Sequence, residues 1–584
     1  MFSARYLFHQ AKHTFWPVSH WSKWKVILHI FAATVLFVLL WFVSALGALR
    51  TFMPNMFQLM GWPGTDRTYL VLFQNNAELQ PTGGRIKAYA LIEFKNGFPS
   101  EITFEDAYDP LSEASTPLTG FPSENAAPGV YFDLTATPDF PGLTTQILNR
   151  FYEKYPNTTV DGVIAINFSV LEDIVKLYEP IRVDRYTLTH DNLFETLENA
   201  VSDIDRHNEE ALAKRKDVIN EFARVMTKKM VLQFWRWRSL SEVMTRNLNQ
   251  KEILATFENE SLAEKVRGLN WDGNFQPVSP EFIGNFLAIR ITNDDGMKSD
   301  RYITREVEYT IDLEKNEAAL EVTLTHYGDY NPPLSGSYKG FLDVYLPKGV
   351  TLDQNETPSV TVEEVETVLD ATLEPPASSV ELFDEVNYVR LRDTIELIPG
   401  KSHIFTYSFQ LNPKWLAQNP LSLLLIKQPG TDKDPYRVTF KAPMGQSLAG
   451  IDFEAHENVA FFEGNLSEDK TLELMLLPDE SGPRLFWHEM SGGTSIELIF
   501  AEPVDVESAQ DPANYEVRDL NLVMLSVTDS PEIDFVTVEG GNVRLYLKGV
   551  TVQVGEYYQV LMRNIQDLNG NYITPNPRTV TVVQ

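Results

Sequence analysis

A run of 24 residues from Val26 to Leu49, VILHIFAATVLFVLLWFVSALGAL, constrains this chain more than any other feature. As a helix it extends about 36 Å, enough for a hydrocarbon core of about 30 Å with some tilt. Residues 1–50 carry Arg5, Lys12, Lys23, Lys25 and Arg50 and no acid, so the basic flank lies mainly on the N-terminal side. Loops rich in Lys and Arg stay cytoplasmic. This places residues 1–25 inside, as a basic and aromatic tail along the inner leaflet, and everything after Arg50 outside. The expectation is a single-pass cell-membrane protein with its N-terminus cytoplasmic and the bulk of the chain extracytoplasmic. A signal peptide cleaved at Ala45-Leu46-Gly47 is the rival reading, but its apolar region is long and 25 residues precede it.

The formal net charge is −32, and with no acid in residues 1–50 the remainder is more acidic still. Such a field repels nucleic acid, which is excluded as a partner. The chain has no cysteine, which removes disulfides, thiolate metal sites and a cysteine nucleophile. The histidines are scattered with no HExxH, and there is no GxSxG elbow, so neither zinc nor that hydrolase chemistry is expected. No metal site and no cofactor is assigned.

From about residue 65 to 305, strand and helix patterns alternate. TYLVLF and KAYALIEF read as strands, GLTTQILNRFYEKY as an amphipathic helix, and VDGVIAINFSVLEDIVKLY as a strand running into a helix capped by Ser169. Residues 191–205 and 209–234 read as two long helices. That alternation argues for an α/β or α+β layered domain. After Arg305, strands separated by Pro, Gly and Asn turns predict a β-sandwich over 306–445. Residues 446–480 read as connecting strands, and 481–584 as a second all-β unit.

Between two early strands sits a dense polar knot, QNNAELQPTGGR. Gln74, Asn75, Asn76 and Glu78 exceed what a simple turn needs, and Thr82-Gly83-Gly84 offers backbone N–H groups suited to an anion, with Arg85 beside them. No Walker spacing accompanies it. A second cluster, NDDGMKSDR, puts Asp295 and Asp300 near Lys298 and Arg301, a set able to hold a cation or a phosphate. Ordinary turn chemistry and local pairing are the preferred reading of both clusters. Asp567-Leu568-Asn569-Gly570-Asn571 has part of a calcium-loop pattern but lacks its remaining ligands, so it reads as a hairpin turn.

The series QNNAELQPTGG, TPDFPG at 137–142, DGVIAINFSVLEDIV, WDGN, TNDDGMKSDRYITR and QPGT at 428–431 resembles bacterial domain-of-unknown-function family 4012, over about 65–445. LIFAEPVDVESAQDPANYEV and YYQVLMRNIQDLNGNYI look like a bacterial Ig-like domain of the surface-layer type. More distantly, VDGVIAINFSVLEDIVKLYEPIRV is similar to a segment of the LytR-CpsA-Psr phosphotransferases. Those enzymes move glycans from polyprenyl diphosphate to the cell wall. That resemblance implies an α/β fold and places Arg206 and Arg215 where the family puts diphosphate-binding arginines. The family's metal-binding Asp and its Arg-Asp pair have no counterpart here.

Together these readings predict a multidomain chain: a transmembrane helix, an α/β LytR-CpsA-Psr-like layered domain and two Ig-like sandwich units. The function they point to is an envelope protein that binds cell-wall glycan, a lipid-linked carrier or a surface protein. The alternative is a glycopolymer phosphotransferase, and only that alternative calls for a divalent cation. No catalytic residue is assigned.

Overall fold

The computed structural model of the chain describes residues 55–61, 64–107, 137–183, 185–202, 209–275, 284–332, 334–352, 359–364, 380–385, 387–443, 445–456, 458–491, 494–520, 531–549 and 557–583. Among these residues 49% are strand and 22% helix, so the protein is mostly β.

A short helix, α1 (Met56–Met60), leads into the central strand β1 (Arg67–Gln80). Leu70, Val71 and Leu72 are buried in succession because β1 is covered on both faces. Its partners are β2 (Gly83–Lys95) on one side and β4 (Gly162–Asn167) on the other, with β3 (Phe98–Asp106) and β7 (Ile253–Phe257) at the edges. Between β4 and β7 the chain also forms a small hairpin, β5 (Ile181–Val183) and β6 (Tyr186–Leu188).

One face of the sheet carries α2 (Phe140–Lys154). Asp139 caps it, accepting from Gly142 N at 2.8 Å, and Pro141 sits in the first turn where its missing N–H costs nothing. Phe140, Leu143, Ile147 and Phe151 recur at helical spacing and bury against Leu72, Tyr89 and Leu254. The other face carries α3 (Phe168–Tyr178), then α4 (Leu193–Ser202), α5 (Glu209–Leu232), α6 (Trp237–Asn249) and α7 (Glu260–Gly268). Val170, Leu248, Ile253, Val266 and Trp271 form the core on that side.

The large sandwich comprises a seven-stranded and an eight-stranded sheet. Its first strand, β8 (Asn285–Asn293), is buried at every position. It lies between Tyr338–Pro347, antiparallel, and Leu421–Ile426, parallel. The next strand, β9 (Ile303–Asp312), opens the other sheet. Gln446–Ala449, Val459–Leu466 and Lys470–Pro478 extend the same two sheets. Trp415, Phe405, Tyr407 and Leu423 lie in the shared core. A smaller sandwich follows from Leu485, with four-stranded and three-stranded sheets around Ile496, Leu498, Leu545 and Val560.

These observations correct the expected fold class. The first unit is a three-layer α+β body rather than a wound α/β domain, because only β1 and β4 pair in parallel and the other three pairings of its sheet are antiparallel. Sandwich strands begin at Asn285 rather than after Arg305 and continue through Pro478. The physical reason is that β8, though continuous with the helical part in sequence, finds its partners more than forty residues downstream. Among the described residues no helix is long and apolar enough to cross a membrane. The expected span 26–49 and the tail 1–25 lie outside the described residues.

Candidate functional site

The polar knot is a bulge in β1. Asn75 pairs with Arg85 and Leu79 with Gly84, so Asn76, Ala77 and Glu78 are extruded from the ladder. Two glycines make this possible. Gly83 has φ +128°, and a Cβ there falls 2.6 Å from Gln74 Oε1; at Gly84 a Cβ falls 2.1 Å from the Asn75 carbonyl carbon. The N–H of Gly84 is engaged by Asn167 Oδ1 at 2.9 Å, at the point where β4 turns into α3.

The bulge and the two residues after it reach across to the sandwich. Asn76 Nδ2 donates to Gly430 O at 3.0 Å, Leu79 N to Asp300 Oδ2 at 2.9 Å, and Gln80 Nε2 to Asn293 O at 2.8 Å. Gln428 Nε2 donates back to Gln80 O at 3.1 Å and to Ile291 O at 2.7 Å, while its Oε1 accepts from Ile291 N and from Arg305. Gly430, at φ +85°, lets its loop approach Gly83 Cα closely; a Cβ would sit 3.1 Å away. Three motifs that are far apart in sequence, at 74–85, 293–301 and 428–431, thus form one interdomain junction.

Charge within the junction is internally paired. The Glu78 side chain is 1% exposed, with Lys87 at 2.6 Å, Arg85 at 3.4 Å and Lys298 at 3.7 Å. Lys298 also lies 3.4 Å from Glu198, whose other oxygen is 3.4 Å from Asn75 Nδ2. Asp295 accepts from Met297 N and Lys339 N, and burial raises its carboxyl above the usual range. Burial pushes the Asp300 carboxyl up to about 7, against the opposing pull of Leu79 N and Asn293.

Beside the junction lies a cleft of about 710 Å³ between the α+β unit and the sandwich. Its walls are the start of α3, the loop before α4, the end of α6, the β1 bulge, residues 300–306 and residues 430–435. Arg301 crosses it, 2.9 Å from Glu172 and with its guanidinium 4.6 Å from the centre of the Phe194 ring. Arg305 is held by Asp434. Ser169, rather than capping α3, occupies its second position and donates to Glu252 at 2.6 Å. Lys427, fully buried, lies 3.3 Å from Glu252 and donates to Gln428 O and Thr431 O. Burial raises the Glu252 carboxyl, opposed by Lys427 and Ser169.

Among the residues singled out in sequence, Asn76, Asp300 and Arg301 reach this cleft. Gln74, Asn75, Glu78, Thr82, Gly83, Gly84, Arg85, Asp295 and Lys298 belong to the buried junction or its edge. Arg215 lies on α5, and Arg206 lies outside the described residues. Glu172, Ser169, Glu252 and Lys427 were not identified as site residues. Ser169 and Glu172 sit in an ordinary helix, Glu252 and Lys427 lie beside strand ends, and only the tertiary contact makes them part of a polar cluster. In the small sandwich, the Asp567–Asn571 turn is closed by Asn569 N and Asn571 N donating to Asp567 Oδ1. Carboxylate oxygens of Asp479, Glu502 and Asp567 lie within 4.8 Å of one another there.

Residues 65–201 match the family described as "Protein of unknown function (DUF4012)", a shorter stretch than the 65–445 over which the motifs run. No curated protein matches the chain. Among solved structures, the N-terminal part of the bacterial S-layer protein SbsC aligns at 20% identity and a TM-score of 0.15. That alignment covers 17% of this chain and only 23% of the S-layer chain. The group B streptococcus pilus 2b backbone protein aligns at 10% identity and a TM-score of 0.14, covering 47% of this chain and 88% of that one. Scores this low carry no argument, and the functional reading rests on the site itself.

Proposed function

We propose that this chain is an extracytoplasmic cell-envelope protein that binds a neutral or amine-bearing cell-wall glycan in the cleft between its α+β unit and its large sandwich. The observation that carries this reading is the charge of the cleft. Eight acidic and four basic side chains line it, and two of the basic ones, Arg301 and Arg305, are held by Glu172 and Asp434. Carboxylates and carboxamides suit sugar hydroxyls and ammonium groups, and the exposed ring of Tyr327 on the cleft wall offers an apolar face for a sugar ring. The sandwiches then act as rigid extension.

The same balance disfavours the phosphotransferase alternative. A diphosphate in its transition state needs cations directed at it. Here it meets an excess of carboxylates. Calorimetry on the full chain with chitosan oligosaccharides, neutral N-acetylglucosamine oligosaccharides and geranyl diphosphate tests the reading. Binding of the first two, weakened by Tyr327→Ala and Asp432→Asn, is expected. Tighter binding of geranyl diphosphate, or release of phosphate from it, overturns the reading.

A further inference from the structure

The connection between α5 and α6 has a surface that the cleft does not use. Where α5 gives way to α6, Val231, Leu232, Phe234 and Trp235 are 61%, 60%, 52% and 61% exposed. Four large apolar side chains in five positions form an unusual solvent-facing tip. Phe234 and Trp235 pack edge to face at 5.6 Å, while the neighbouring Trp237 turns inward and donates its indole N–H to Met230 O.

The tip is also basic. Residues 222–241 contain Arg224, Lys228, Lys229, Arg236 and Arg238 and no acid, in a chain of net charge −32. Lys229 donates to Tyr178 O and Pro180 O, and Arg236 to Leu177 O, which fixes these two cations beside α3 and β5. Burial and the neighbouring charges of Arg236 and Arg182 lower the Lys229 pKa, so three cations lie close together here. The flanking carboxylates Glu221 and Glu242 pair with Arg224 and Arg238.

Topology sets the direction of this surface. α3 starts at the junction, directly after Asn167, and its 11 residues carry Tyr178 about 16 Å away from it. α6 ends near the same junction, where Asn167 N donates to Glu252 O, so its first residue, Trp237, lies at the far end. That far end is also where β1 starts. Tyr69 donates to Leu59 O there, Arg67 pairs with Asp161, and Lys265 donates to Asn55. The chain therefore enters the described unit at the end that bears the tip.

We propose that this tip docks on an anionic lipid surface, with Val231, Leu232, Phe234 and Trp235 entering the headgroup region, and Lys228 and the net positive charge of the segment drawing it to lipid phosphates. Aromatic side chains flanked by Lys and Arg suit the membrane–water boundary, where one face is apolar and the other wet. The charge is complementary to an anionic leaflet and opposite in sign to the net charge of the chain. Docked in this way, the unit holds its cleft and sandwiches away from the bilayer.

Because the chain has no cysteine, a single introduced thiol can report on this contact locally. Leu232→Cys in the full chain is labelled with an environment-sensitive fluorophore, with Ile451→Cys, exposed on the large sandwich, as control. Vesicles of phosphatidylglycerol and phosphatidylcholine should blue-shift the label at 232 and shield it from iodide, and leave the label at 451 unchanged. Pure phosphatidylcholine should shield it less. Lys228→Gln with Arg238→Gln should weaken the shielding by about fivefold per charge removed. The proposal fails if position 232 stays as quenchable on anionic vesicles as in buffer, or if neutral vesicles shield it equally. It fails too if unlabelled chain shields it without lipid, which identifies the tip as a protein contact instead.

Discussion

Lys427→Met tests whether the junction between the α+β unit and the large sandwich rests on a buried ion pair. The Lys427 side chain is 0% exposed and that of Glu252 is 7% exposed, with Nζ 3.3 Å from the carboxylate and 2.6 Å from Thr431 O. Removing the ammonium leaves a buried carboxylate with Ser169 as its nearest donor, takes one of two donors from Gln428 O, which keeps Thr431 Oγ1, and takes the Lys427 donor from Thr431 O. Breaking such a pair costs about 3–5 kcal/mol. Adding Glu252→Gln removes the stranded charge, so the double variant should retain only the lost carbonyl bonds, about 1 kcal/mol each. Adding Glu252→Gln to Lys427→Met should therefore recover about 2 kcal/mol.

The pH dependence has a definite sign. The Glu252 carboxyl is raised in the folded state, so its contribution to stability is full below its unfolded pKa and lost as pH rises through the folded value. Without Lys427 the rise is larger, and Lys427→Met should be closest to wild type near pH 5 and furthest from it near pH 8. Urea unfolding at both pH values, on wild type, both single variants and the double variant, measures each term. If Lys427→Met unfolds within 1 kcal/mol of wild type at pH 8, or if Glu252→Gln recovers nothing in its background, the pair does not hold the junction.

Three further outcomes follow from the same structure. Gly84→Ala sets a Cβ against the Asn75 backbone and should cost about 3 kcal/mol, read as a lowered midpoint of thermal unfolding; an unchanged midpoint removes the bulge's need for glycine. Asp300→Asn should abolish a pH slope: with its carboxyl pushed up to about 7, wild type loses stability relative to the variant as pH rises from 4 to 8, and parallel urea curves sink the idea. Trp415→Ala, at a site 2% exposed, should destabilise the large sandwich by about 3–5 kcal/mol and leave the small sandwich's separate transition in place; loss of both together means the two units fold as one.

Much of the local structure was legible in the amino-acid order. The helix over Phe140–Lys154, the strand-to-helix passage at Gly162–Tyr178 and the strands after Arg305 follow from period and turn residues that act over a few positions. The knot was legible as an anomaly, since five amide or acid side chains and two glycines crowd one strand end. Its use was not. Whether Asn76 and Gln80 face a ligand or another part of the chain depends on what packs opposite, and Gly430 and Asn293 lie hundreds of residues away. The same limit hid β8, whose pattern does not say which sheet it joins. It also hid Glu252 and Lys427, which become a pair only when two domains meet. Composition, period and turn chemistry are properties of neighbours along the chain, and sequence alone determined them. The junction, the cleft and the exposed tip are properties of neighbours in space, and only the tertiary structure decided them.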